Sequence, residues 1–176
     1  MPRLVFVSII VSLTLALDQL SKQWAMKTLM GTPMRTYLWD VFRFQYAENN
    51  GAFLSLGSSL PESTRFWIFT VLVSGFLIGL AWVLISKDNL NRWDVAAYAL
   101  VLGGGIGNLI DRWARGGNVV DFMNMGIGWL RTGIFNVADA IIMAGMFILL
   151  GRAMITPHKH PGHSNISPSH IANSNE

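Results

Sequence analysis

Two aspartates, Asp121 and Asp139, stand at the two ends of a short connection between very apolar stretches. Their segment begins GGGIGNLIDR at Gly103, passes through VVDF at 119–122 and closes with FNVAD at 135–139. Two carboxylates brought close together cannot easily both ionise, so one keeps a proton near neutral pH while the other is charged, and the pair titrates as a unit. Such a pair can activate a water against a peptide carbonyl and protonate the leaving amine. Ion binding and plain structural pairing are the competing readings of the same residues, and spacing alone leaves all three open.

Other chemistries find less support. There is no HExxH for a zinc protease and no GxSxG elbow. Ser21 and Lys22 are adjacent, and neighbours in a helix sit about 100° apart and do not face each other, which argues against a Ser/Lys dyad. GGGIGN lacks the lysine of a phosphate-binding loop and lies inside an apolar stretch, so close helix packing explains it better. The absence of cysteine excludes disulfides, thiolate nucleophiles and cysteine-ligated metals.

The elements that must position these acids follow from composition. Hydrophobic residues make up 52% of the 176-residue chain and charged residues 13%, about half the soluble norm, which points to a single membrane domain. The net charge of +3 is spread without a basic run, so nucleic-acid binding is not expected. Residues 4–17 are apolar or hydroxyl-bearing, but as helix they reach only about 21 Å against a hydrocarbon core of about 30 Å. The first span must therefore continue through Asp18 to about Trp24, placing Asp18 and Lys22 inside the membrane edge, where ionisable groups are costly and usually functional or paired. A secretory signal peptide is the competing reading of this stretch.

Residues 66–85 carry no charge and predict a second span, with Trp67 and Trp82 as interfacial anchors. Trp93 and Asp94 open a third at 95–110, with Asp94 read as its cap. A Gly-rich connection over 112–131 leads to a fourth span from Ile134 to about Met154. Between the first two spans, the alternating YLWDVFRFQY at 37–46 predicts a small amphipathic β element at the membrane surface, ending in a turn on Asn50 and Gly51. The fold class expected is membrane all-α: a bundle of four transmembrane helices with a small β element between helices 1 and 2. Residues 1–156 form the one domain, and 157–176 form a disordered polar tail whose His158, His160 and His163 could hold a metal only adventitiously.

Four spans folded as hairpins put Asp18 with Lys22, Asn49 with Asn50, Asn108 with Arg112, Asp121, and Asn136 with Asp139 on one membrane face. Asp18 and Lys22 are i,i+4, as are Asn108 and Arg112, and Asn136 and Asp139 are i,i+3, so each helix points a polar pair one way. Gathering these groups at one end is expensive unless they satisfy one another or line a wet cavity. An ion or proton carrier using Asp18, Asp121 and Asp139 as a relay would instead spread charge along the depth of the helices. A purely structural tetraspan leaves the clustered polar cost unexplained.

Five blocks in order, DQLSK at 18–22, NNGAF at 49–53, GGGIGNLIDR at 103–112, VVDF at 119–122 and FNVAD at 135–139, resemble the bacterial lipoprotein signal peptidase family, signal peptidase II. The resemblance implies an aspartyl endopeptidase that cuts prolipoproteins before a diacylglyceryl-modified cysteine, with catalytic Asp121 and Asp139. Its supporting positions fall on Asp18, Lys22, Asn49, Gly51, Asn108, Arg112 and Asn136. Lys22 and Asp18 would brace loop backbone near the site, and Arg112 and the asparagines would orient the dyad and the substrate. It further implies a β cradle, a short surface helix near 58–65, no cofactor and no metal, prolipoprotein and membrane lipid as partners, and a monomer in the bacterial inner membrane. Asp111 is expected to pair with Arg115 at i,i+4. Phe53 and Leu54 after Ala52 depart from the second alanine that many members have.

The resemblance places both termini in the cytoplasm and the site near the outer, periplasmic face. Charge counting disagrees. Lys and Arg number five on the terminal side (Arg3, Lys87, Arg92, Arg152, Lys159) and eight on the site side, which by the positive-inside rule favours the opposite orientation. Several of the eight lie in the surface element or in the site itself, and the family orientation is the expectation kept.

Overall fold

A computed structural model describes residues 1–51, 57 and 59–155. The expected tail at 157–176, with its histidines, and the departure at Ala52, Phe53 and Leu54 lie outside the described residues. Four helices are long and apolar enough to cross a membrane: α1 Arg3–Thr28, α2 Glu62–Ser86, α3 Arg92–Ala114 and α4 Val137–Ile155. As expected, α1 runs past Asp18 and Trp24, because only the added turns bring it to membrane length.

α3 is the central rod and packs against all three other helices. Its glycines explain how. A Cβ on Gly103 would strike Thr14 of α1, on Gly104 the Ala138 carbonyl and Ile142 of α4, and on Gly105 Leu77 of α2. Consecutive residues about 100° apart thus meet three neighbours, and side chains there would push the backbones apart. The Gly-rich block is a packing device. Leu77, Leu80, Leu84, Val95, Val101 and Leu102 form the buried apolar core around it.

Two expectations need correction. Asp94 does not cap α3: the N-cap is Asn91, whose side-chain oxygen accepts from the N–H groups of Trp93 and Asp94 at 2.9 and 3.0 Å. Asp94 instead forms an ion pair with Arg152 of α4. Among the described residues no separate surface helix precedes the second span: the turn Glu62–Arg65 runs directly into it, and Phe66–Leu72 within the span is π-helical.

The small β element expected at 37–46 is present as a hairpin, β1 Arg35–Tyr37 and β2 Phe42–Asn49, with Leu38, Trp39 and Asp40 at positive φ of 52°, 52° and 70° between them. Left-handed backbone at three successive non-glycine residues is strained and persists only where surrounding contacts impose it. Asp40 supplies them, accepting from Arg43 at 2.6 and 2.7 Å and, through its carbonyl, from Arg131 at 2.8 Å.

The Gly-rich connection also contains structure that its composition hides. β3 Val119–Ile127 and β4 Leu130–Arg131 complete a four-stranded antiparallel sheet in the order β1-β2-β3-β4. The β element expected between helices 1 and 2 is therefore half of a sheet shared with the loop between α3 and α4. Val120 and Phe122 bury against Ala25 and Leu29 at the end of α1. Strand alternation turns Asp121, between them, to the other face.

Candidate active site

Lys22, at the membrane edge of α1, organises one half of the polar cluster. Its side chain is 1% exposed, and its ammonium lies 2.9 Å from Asp18, 3.0 Å from Asp111 and 3.0 Å from the Asn108 side-chain oxygen. Those three acceptors match its three N–H donors, which is the condition for holding a buried ammonium. Asp111 does meet Arg115, at 3.7 Å, but the closer charge is Lys22. The expected i,i+4 pair is thus the weaker of two, because helix packing supplies a better-aimed partner than the local sequence does.

The two aspartates that flank Lys22 each grip backbone. Asp18 accepts the N–H of Ala138 at 3.0 Å, and Asp111 accepts the N–H of Val120 at 3.1 Å. Ala138 and Val120 are the residues immediately before Asp139 and Asp121.

Asp121 and Asp139 are 1% and 7% exposed. Asp121 accepts from the side-chain amide of Asn49 at 2.8 Å and from that of Asn136 at 2.7 Å. The Asn49 contact is diagonal across the sheet, since Asn49 pairs with Val119 and Asp121 with Ala47. Asp139 accepts from the Asn108 side chain at 2.8 Å and from the Asn136 backbone N–H at 3.3 Å, while its own N–H donates to the Asn136 side chain at 3.0 Å. Asn136 and Asp139 thereby form a capping box at the start of α4. Asn136 also donates to Asn108 at 3.1 Å, so a continuous chain of amides links the two acids.

Asp121 lies outside the spanning helices. Burial, and then the charge of Asp139, push its carboxyl up from 3.8 to about 7, against the opposing pull of Asn49, Asn136 and Lys22. An acid at that position exchanges its proton near neutrality, which general acid/base work requires.

Gly51 joins the site through its backbone. Its N–H donates to Asn49 at 2.9 Å and its carbonyl accepts from Arg112 at 2.8 Å. Arg112 thus holds loop backbone and makes no hydrogen bond to either acid. Its guanidinium lies 5.7 Å over the Phe69 ring, and its Nε is buried with no hydrogen-bond partner among the described residues. A cavity of about 270 Å³ borders this side, with Arg112, Trp113, Phe66 and Thr70 among its walls.

Every residue expected at the site is in this cluster: Asp121, Asp139, Asp18, Lys22, Asn49, Gly51, Asn108, Arg112 and Asn136. Sequence reasoning missed the place of Asp111 and the Phe69 ring. Asp111 could have been found by asking what neutralises a buried lysine that one aspartate alone leaves short of acceptors. Phe69 carries no such signal, because π-helical register shifts which face a residue occupies.

Residues 10–155 match the family described as Signal peptidase (SPase) II. The chain is 39% identical over 140 residues to a lipoprotein signal peptidase of Nostoc sp., covering 80% of this chain and 84% of that one. It is 36% identical over 170 residues to one of Sphingopyxis alaskensis, covering 96% and 95%. Among solved structures it resembles a bacterial membrane enzyme determined by the in meso method at 2.3 Å, with a TM-score of 0.72 and 25% identity over 90% of this chain and 93% of that one.

Proposed function

Because the chain belongs to the signal peptidase II family, and so is a multi-pass bacterial membrane protease acting on lipoprotein signal peptides, we propose that Asp121 and Asp139 form its catalytic dyad. The observation that carries this is the chain of amides from Asn49 through Asn136 and Asn108, which links the two carboxyls by hydrogen bonds. The pair holds one proton near neutral pH. The ionised member takes a proton from water as that water attacks the scissile carbonyl, and the protonated member donates its proton to the carbonyl oxygen; as the C–N bond of the resulting gem-diol breaks, the first member passes the proton it took to the leaving amine and the second recovers one from a gem-diol hydroxyl. The amides keep both acids in place, and Arg112 steadies the Gly51 loop beside them.

The bond cut is the one before the diacylglyceryl-modified cysteine. The acyl chains stay in lipid and hold that bond at the interface, each buried CH₂ contributing about 0.8 kcal/mol. Unlipidated precursor is accordingly a poor substrate, and equal rates on both precursors would contradict that role. The enzyme works as a monomer without cofactor and without nucleic-acid contacts. A proton or ion carrier would need ionisable groups along the bundle, and residues 4–17, 66–86, 95–107 and 140–151 contain no Asp, Glu, Lys or Arg.

Both termini are cytoplasmic and the site faces the outer leaflet. The adverse count of cations is offset by how they are used: Lys22, Arg43, Arg115 and Arg131 on the site side are each ion-paired within the fold.

The test is cleavage of a diacylglyceryl-modified prolipoprotein by Asp121→Asn and Asp139→Asn in detergent, with melting curves to confirm folding. Both should lose turnover by several orders of magnitude, and near-normal turnover in either removes the dyad.

A further inference from the structure

The sheet ends in an apolar surface that neither the helical core nor the proposed dyad uses. Trp39 is 97% exposed and Trp129 92%, with Leu38, Ile127 and Leu130 exposed beside them. On the outward faces of the helices, exposed apolar residues face lipid and need no further reason. These five lie on two hairpin tips outside the spans.

Strand pairing brings the tips together. Phe42 is opposite Met125, so the β1–β2 tip and the β3–β4 tip emerge at the same end of the sheet, the end away from Asn49 and Val119. Arg131 locks one to the other, donating to the Asp40 carbonyl at 2.8 Å. The three left-handed residues Leu38, Trp39 and Asp40 hold Trp39 outward, a strained backbone that gains nothing from packing Trp39 inside the protein.

An aromatic chain ties this end to the membrane boundary. Trp24, in the last turns of α1, meets Phe44 at 6.0 Å, and Phe44 meets Tyr37 at 5.7 Å, two residues before Trp39. The tips are therefore tethered beside the membrane-edge turns of a spanning helix. Tryptophan favours that zone, since its ring is apolar and its N–H stays wet.

We propose that the paired tips, led by Trp39 and Trp129, are an anchor inserted into the interfacial layer of the bilayer on the site side. The anchor fixes the height and tilt of the sheet, and with it the height of Asp121 on β3 relative to the lipid. Its partner is the lipid surface itself, not a second copy of the chain and not the substrate.

The chain contains no cysteine, so single labels are straightforward. Trp39→Cys and Trp129→Cys, each keeping the other tryptophan, are labelled with a nitroxide and reconstituted into phosphatidylethanolamine/phosphatidylglycerol vesicles. Relaxation by oxygen should exceed relaxation by a water-soluble nickel chelate at both positions, and the reverse, labels in bulk water, overturns the proposal. Dipolar broadening between labels on different copies would show that the patch pairs with itself and also overturns it.

A second measurement uses Trp39→Ser/Trp129→Ser, which should fold normally because both side chains are almost wholly exposed. Cleavage of vesicle-embedded prolipoprotein should fall several-fold, while cleavage in detergent micelles stays near wild type. An equal loss in both media would mean that the tips touch substrate, and no loss in vesicles would mean that they anchor nothing. The label depths need no turnover, so this proposal and the catalytic assignment can fail separately.

Discussion

Asp111 accepts the backbone N–H of Val120 at 3.1 Å, one residue before Asp121. Asp18 does the same for Ala138, one residue before Asp139, at 3.0 Å. Lys22 lies between the two gripping carboxylates. One buried cation therefore fixes the strand that carries one acid and the helix start that carries the other, which neither acid could do for itself without giving up its own hydrogen-bonding capacity.

Lys22→Met should consequently cost about 3–5 kcal/mol, because it leaves Asp18 and Asp111 buried without their counter-charge. Adding Asp18→Asn to it should recover part of that loss. Thermal unfolding in detergent of the two single variants and the double variant measures the coupling, and strictly additive losses would contradict a shared network.

Asn136 does two jobs that substitution can separate. Asn136→Ser keeps a good N-cap, so stability should change by less than about 1 kcal/mol, yet it loses the amide that reaches Asp121. Turnover should fall about 10²-fold or more, as when a single preorganised donor is removed from an active site. Asn136→Ala should lose both cap and turnover. A Ser variant with full activity would show that the amide chain does not position the acids.

The Asp121 carboxyl titrates near 3.8 when unfolded and about 7 when folded. Between those values the folded chain holds a proton that the unfolded chain has lost, so stability declines as pH rises from about 4 to about 7. The full decline, on the order of a few kcal/mol, is present above that window. Asp121→Asn removes this titration. Its melting temperature relative to wild type should therefore rise between pH 5 and pH 8, and a constant difference would refute the raised carboxyl. Wild-type turnover should also fall above about pH 7, as the dyad loses its proton.

Two glycines offer a matched comparison. A Cβ on Gly107 would come within 2.5 Å of an Asp18 carboxylate oxygen, whereas on Gly79 it would meet nothing within 4 Å. Gly107→Ala should destabilise by about 1–3 kcal/mol through overpacking, and should reduce turnover by displacing the carboxylate that holds Ala138. Gly79→Ala should be neutral or stabilising by up to about 1 kcal/mol. Melting curves and a cleavage assay distinguish the two, and equal effects would mean that Asp18 is free to move.

Local chemistry carried much of the fold into the sequence. Hydropathy runs mark the four spans because the bilayer rejects charge wherever it falls. The i,i+4 spacing of Asp18 and Lys22 survives intact as a 2.9 Å contact, since both residues lie on one rigid helix. Asn136 and Asp139 were likewise legible as a pair, their capping geometry being set within one turn. What escaped depends on partners far along the chain. β3 reads as loop because Val119 to Phe122 is short and buried all round, and nothing local announces the strand it pairs with. The break between Tyr37 and Phe42 escaped for the opposite reason: its residues favour strand, and contacts to Asp40 from Arg43 and the distant Arg131 override them.

By itself, then, the amino-acid order determined which residues cross the membrane, which polar side chains share a rim and which acids could react, all properties of segments within one helical turn or one hydrophobic run. Only the tertiary structure decided what those side chains do to one another. It assigned Asp111 to Lys22 in preference to Arg115, put Asp121 on a strand and Asp139 in a helix cap, and joined two hairpin tips into one exposed aromatic end. The reason is physical: charges and amides removed from water must find partners in space, and the nearest partner in space is set by packing of glycines and strands that lie many residues apart.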